Sequence, residues 1–106
     1  MAKYLIQASY TAEGVKGLLA EGGSKRREAA TKAIKAAGGK VEAFYFAFGE
    51  HDAYVIVDMP DNASAAATSL AINASGAVTT RTTVLLTPEE VDSAVKKSVG
   101  YRAPGK

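Results

Sequence analysis

Three consecutive stretches constrain this chain most: Val41 to Phe48, then Gly49-Glu50-His51-Asp52, then Ala53 to Met59. Two strongly apolar, β-rich runs separated by four turn-forming residues read as a β-hairpin. The first run sets Phe44, Phe46 and Phe48 on one face and Val41, Ala43, Tyr45 and Ala47 on the other. The second sets Tyr54 and Ile56 against Val55 and Val57. A hairpin that is apolar on both faces needs cover on both, so a fold that packs only one side of it leaves a surface in want of a partner.

The flanks supply the rest of an architecture. Lys3 to Tyr10 alternates, with Tyr4, Ile6, Ala8 and Tyr10 opposite Leu5, Gln7 and Ser9, which predicts a strand. Thr11 to Gly14 breaks the alternation, and a short helical turn is expected over Val15 to Leu19, ended by Gly22-Gly23. Ser24 is placed to cap a longer helix from Lys25 to Ala37. Its stripe of Ala29, Ala30, Ala33, Ile34 and Ala37 is narrow and small, so close approach to a sheet is expected. Gly38-Gly39 stops it. After the hairpin, Pro60 closes the strand, and Asp61 or Asn62 caps an Ala-rich helix reaching Ile72 and stopped at Ser75-Gly76. Val78 to Leu86 is a β-branched fourth strand, and Thr87-Pro88-Glu89-Glu90 has the chemistry of a helix start, with the helix expected to run to about Val99.

The order is therefore βαββαβ with an added C-terminal helix. Right-handed crossovers around a central hairpin predict an α+β, ferredoxin-like fold whose four-stranded antiparallel sheet has the order 4-1-3-2. Residues 1–99 read as one domain and 100–106 as a polar tail. Composition excludes several chemistries. With no Cys there are no thiolate metal sites and no thiol nucleophile, and one His in 106 residues argues against a multi-His metal centre, so neither metal nor cofactor is expected. The N-terminus meets Gln7 too early for a signal-peptide core and no apolar stretch is long enough to span a membrane; a soluble, cytoplasmic protein is expected.

Two helices cover one face of such a sheet. The apolar remainder predicts a homo-oligomer, a dimer or larger, closed through the second face; the alternative is that the terminal helix folds over it. Alternation places Arg81 in the fourth strand with Thr79 and Thr83, and Gln7 and Ser9 interrupt the neighbouring first strand, a grouping that fits a polar pocket. An ion pair of Arg81 with Asp58 or Glu42 explains it equally well.

The same topology brings the end of the first strand, the hairpin turn and the start of the long helix to one end of the sheet. Tyr10, His51 and Asp52 are the candidate acid–base residues there, since imidazole changes charge near neutral pH and Glu50 and Asp52 flank it. Ser24 and Arg27 at a helix start, with Arg81 and Gln7, are the candidate ligand-binding residues. Each has a plainer reading: His51 as a surface turn residue, Asp52 bonding turn amides or pairing with Arg26 or Arg27, and the basic run as a solvated helix face.

Phe44-Tyr45-Phe46, Phe48-Gly49-Glu50 and Asp52 ahead of an Ile/Val run resemble the GYD-domain family, as do Tyr4-Leu5, Tyr10 to Gly14, Ser24 with Arg26-Arg27-Glu28, Ala74-Ser75-Gly76 and Thr80 to Thr83. The resemblance covers roughly residues 3 to 92, with His51 standing where the naming motif has Tyr. It implies the dimeric α/β-barrel variant of the ferredoxin-like fold. By analogy with related barrels, it implies a protein binding a small organic or anionic molecule, with cofactor-free proton transfer or oxygen-dependent chemistry as the reaction class. A non-catalytic structural or regulatory oligomer is the alternative. Nucleic acid is disfavoured: the aromatics lie on the second strand without interleaved Arg or Lys, and the net charge is only +2.

Overall fold

The computed structural model describes residues 1–106. Four strands, β1 (Ala2–Tyr10), β2 (Lys40–Phe46), β3 (Ala53–Met59) and β4 (Val78–Leu85), form one antiparallel sheet in the order β2-β3-β1-β4. This is the α+β, βαββαβ arrangement the sequence predicts. Helices α1 (Ala12–Glu21) and α2 (Gly23–Ala36) connect β1 to β2, α3 (Asn62–Ala74) connects β3 to β4, and α4 (Pro88–Val95) follows.

Strand parity decides the core. Tyr4, Ile6 and Ala8 of β1 and Ala53, Val55, Val57 and Met59 of β3 are buried beneath the helices, in register as Tyr4↔Val57 and Ile6↔Val55. Tyr4 Oη donates to Asn62 Oδ1 at the start of α3, so the buried phenol keeps a partner. In β2 a register shift between Val41 and Ala43 inserts one residue. The bulge reverses the face of everything after it, so Val41 shares the core side with Phe44 and Phe46, where simple alternation had opposed them. Phe44 and Phe46 meet edge to face with centroids 5.2 Å apart. The strand stops at Phe46, which leaves the ring of Phe48 in solvent within the loop.

The helical connection differs from expectation in two respects. First, α1 is a full helix of ten residues, because Thr11 caps it by accepting from Gly14 N. Second, Gly22 (φ 84°) ends α1 by donating to Leu18 O at 2.7 Å and also begins α2, so Ser24 lies inside the helix and caps nothing. A left-handed angle at the junction suits Gly and no β-carbon residue. Only Ile34 of α2 is buried. Of the expected Ala stripe, Ala37 packs on the core, whereas Ala29 and Ala33 stay exposed: their methyl groups are too short to bridge the gap that Ile34 sets.

Asp61 caps α3 by accepting from Ser64 N at 2.8 Å. That backbone N–H, aided by the Ser64 hydroxyl, holds the Asp61 carboxyl below the usual carboxylate range. A depressed pKa adds stability above the ordinary value near 3.8, and the gain is lost as pH falls through the lower native value. Denaturation of wild type and Asp61→Ala as a function of pH should show a difference that is constant at neutrality and shrinks only in acid.

At the C-terminus, Thr87 and Glu90 form the reciprocal cap that the sequence predicts, with Glu90 N donating to Thr87 Oγ1 at 3.1 Å and Thr87 N donating to Glu90 Oε1 at 3.0 Å. The helix stops at Val95, short of Val99, and none of its residues is buried. It does not fold over the uncovered sheet face. No helix is long and apolar enough to cross a membrane.

Candidate functional site

The sheet separates the sequence-predicted site residues onto its two faces. On the uncovered face a cross-strand row runs Tyr45, Tyr54, Gln7, Arg81, set by the pairs Tyr45↔Tyr54, Gln7↔Tyr54 and Gln7↔Arg81. His51 joins this row: its Nδ1 lies 3.3 Å from Ser9 Oγ, and its ring meets Tyr54 edge to face at 5.9 Å. Gln7 and Arg81 are thus cross-strand neighbours, and His51 sits against Ser9 and Tyr54 on the same face. In the adjacent row Ala43, Ile56 and Leu5 are apolar, and Thr83 ends it on the edge strand. Beyond it Lys3 bridges Glu42 and Asp58, the latter at 3.0 Å. The hydrogen bond to Glu42, then that to Asp58, holds the Lys3 ammonium above the usual lysine range. Those are the two carboxylates named for Arg81; within the chain Lys3 takes both, and the Arg81 side chain is left exposed without an ion pair.

Asp52 belongs to neither face. Its Oδ2 accepts from Tyr10 N at 2.8 Å, its N–H donates to Ala8 O at 2.8 Å, and its carbonyl accepts from Ala47 N at 2.8 Å. The residue latches the hairpin loop onto the end of β1; it pairs with neither Arg26 nor Arg27. Asp52→Ala should cost about 2 kcal/mol, the scale of a hydrogen bond to a charged acceptor whose donor is half-buried. Asp52→Asn, which keeps an accepting oxygen, should lose less in the same urea titration.

Tyr10 has the parity of the core and points to the helix side. There α1, α2 and the sheet enclose a cleft. Its inner part is a cavity of about 140 Å³ walled by Ala29, Ala30 and Ala33 of α2 on one side and by Ile6, Ala8, Phe44 and Val55 of the sheet on the other. An outer vestibule of about 570 Å³ opens past Gly14, Gly17 and Ala20 of α1. Tyr10 and Arg26 border both, and Thr80 adds a hydroxyl to the inner wall. Arg26 reaches Glu21 Oε2 only at 3.5 Å, a long and partly exposed pair. Ser24 and Arg27 sit elsewhere, in a separate depression with Phe44 and Phe46.

Sequence reasoning offers Arg26 as a partner for Asp52 or as part of a solvated basic run; the structure places it at the cleft that Tyr10 also borders. Its signal was position: Arg26, Ala29, Ala30 and Ala33 share one helical stripe, so the guanidinium extends the same face that carries the small residues. Thr80 was not singled out, although its parity opposite Arg81 already turns it toward the helices.

The local sequence and this architecture together correspond to a known pattern: residues 4–95 match the family model of the GYD domain. The chain belongs to the GYD domain family. The match spans β1 to the end of α4, so the cleft and the open-face row both lie inside the GYD domain. No curated protein and no solved structure matches the chain at a significant level. In this GYD domain no group of three or more His, Asp or Glu side chains is gathered to hold a metal ion.

Proposed function

We propose that this GYD-domain chain binds a small organic molecule in the cleft between α1, α2 and the sheet, and that it works as a homodimer closed through the uncovered sheet faces. The observation that carries the reading is the inner cavity, about 140 Å³ beneath Ala29, Ala30, Ala33 and Ile34 of α2, with a cation and a phenol at its edge. An apolar cavity near ~150 Å³ accommodates a benzene-sized body. The ligand class is therefore a compact apolar or aromatic skeleton bearing a carboxylate or similar acceptor, which would replace Glu21 on Arg26. In this reading Tyr10 is the group nearest to bound ligand that can exchange a proton, and it carries any cofactor-free proton transfer or oxygen-dependent chemistry. His51, Gln7 and Arg81 contribute to the dimer face.

One observation favours the alternative of a non-catalytic assembly protein: of the three acid–base candidates, His51 and Tyr10 lie on opposite faces of the sheet and the Asp52 carboxylate is engaged by Tyr10 N. Native mass spectrometry with benzoate and with toluene as probes separates the two. The binding reading expects a dimer that takes up benzoate, loses it in Ala30→Phe, which fills the cavity, and prefers toluene over benzoate in Arg26→Met. A dimer that takes up neither probe supports the assembly role.

A further inference from the structure

The 21 residues beyond β4 hold a second unpartnered surface. Leu86, Val91, Val95, Val99 and Tyr101 are all exposed, at 45% or more. Val91 and Val95 are four apart and share a helix face. The segment projects from the body: the radius of gyration is 16.8 Å and the molecule is 56 Å long, against about 13 Å expected for a compact chain of this length. The accessible surface is 7456 Å², whereas a folded monomer of 11.0 kDa exposes about 5,600 Å². Each chain thus carries roughly 1,800 Å² more surface than a self-sufficient fold of its mass.

The helix in this segment is built to be rigid. Eight residues are too few to hold an isolated helix in water. Yet α4 has a reciprocal cap, Pro at its first turn, and Leu86 and Val91 in the positions of a hydrophobic staple, which fixes the angle at which a helix leaves the preceding strand. Such features orient an arm that is held by contact with something else. The excess surface falls in the range that each subunit of an obligate dimer removes, about 1,000–2,500 Å². On the open sheet face Leu5, Tyr54 and Ile56 are half-buried while Tyr45 is exposed, so that face accounts for part of the excess; the arm, in which no residue from 86 to 101 is buried, accounts for another part.

We infer that residues 86–101 form an exchanged clasp: the Val91/Val95 face of α4 packs on the body of a second copy of this chain, and the partner's arm packs back in the same way. A two-fold arrangement satisfies both arms with one contact type. The inference rests on the homodimer reading above and adds to it an interface that the sheet faces do not supply.

The chain has no Cys, so Val95→Cys in the full chain introduces a single site for a maleimide–benzophenone photocrosslinker. Irradiation of the dimer at low micromolar concentration should give a denaturation-resistant species of twice the chain mass, with the crosslink mapping to a residue of the other copy. In parallel, Val91→Asp/Val95→Asp should raise the dimer dissociation constant at least tenfold in sedimentation velocity without lowering the helix and strand content of the body. A crosslink confined to the same chain, or a wild-type dimer in which the photoprobe captures nothing and the double variant dissociates no more readily, overturns the clasp while leaving the sheet-face dimer intact. A wild-type monomer overturns both.

Discussion

Gly14→Ala is expected to destabilise the protein by about 3 kcal/mol, the upper part of the range for forced overpacking, while Gly17→Ala, one turn along the same helix, is expected to stabilise it by up to ~1 kcal/mol. The contrast comes from what each β-carbon would meet. At Gly14 it would overlap the carbonyl oxygen of Ala77 and approach Tyr10 Cδ1 to 3.1 Å; at Gly17 there is nothing within 4 Å. Ala77 O cannot rotate away, because it is main chain and already accepts from Thr11 N at 3.0 Å and from Thr11 Oγ1 at 3.2 Å. Relief therefore requires α1 to lift from the start of β4, which breaks the contact that closes the outer cleft. Helix propensity alone gives both substitutions the same favourable sign. Urea denaturation of the two variants side by side decides the matter: equal shifts in midpoint would mean that α1 does not rest on Ala77.

Ile56→Asp is expected to convert the proposed sheet-face dimer into a folded 11.0 kDa monomer. Ile56 lies at the centre of the apolar row, flanked by Leu5 and Ala43, on the face that no element of its own chain covers. In a lone chain a half-exposed carboxylate there is nearly neutral for folding. Across a two-fold sheet interface each substitution buries a charge without a partner, twice over. The penalty for an unpaired buried charge is about 3–5 kcal/mol, and every 1.4 kcal/mol is about tenfold in the dissociation constant, so the constant should rise by more than a hundredfold. Sedimentation velocity reads the mass and circular dichroism the fold. Retention of an unaltered oligomer would remove Ile56, and with it the open face, from the interface.

Much of this molecule was readable from periodicity. β1 and β3 alternate so regularly that their buried faces follow from counting, and the caps at Asp61 and Thr87 are where their side-chain chemistry puts them. The grouping of Gln7 with Arg81 was likewise legible, because it needed only parity and the strand order. The failures were local and share a cause. The extra residue in β2 and the idle hydroxyl of Ser24 depend on the register against β3 and on the left-handed Gly22, and Thr11, whose side chain caps α1, is itself held by the distant Ala77 carbonyl. Asp52 is expected to bond its own turn amides, but its carboxylate accepts from Tyr10 N instead, 42 positions away in the chain.

The candidate site divides along the same line. Side-chain parity by itself determined that Tyr10 and the pair Gln7 and Ser9 point to opposite sides of β1, since successive residues of a strand must do so. It also determined that one face of the hairpin would lack cover, because two crossover helices reach only one side. What only the tertiary structure decided was distance. Whether an Ala-rich helix closes onto a sheet or stands off it depends on the longest side chain between them, here Ile34 and Phe44, and that gap is what turns a stripe of methyl groups and Arg26 into the wall and mouth of a cleft.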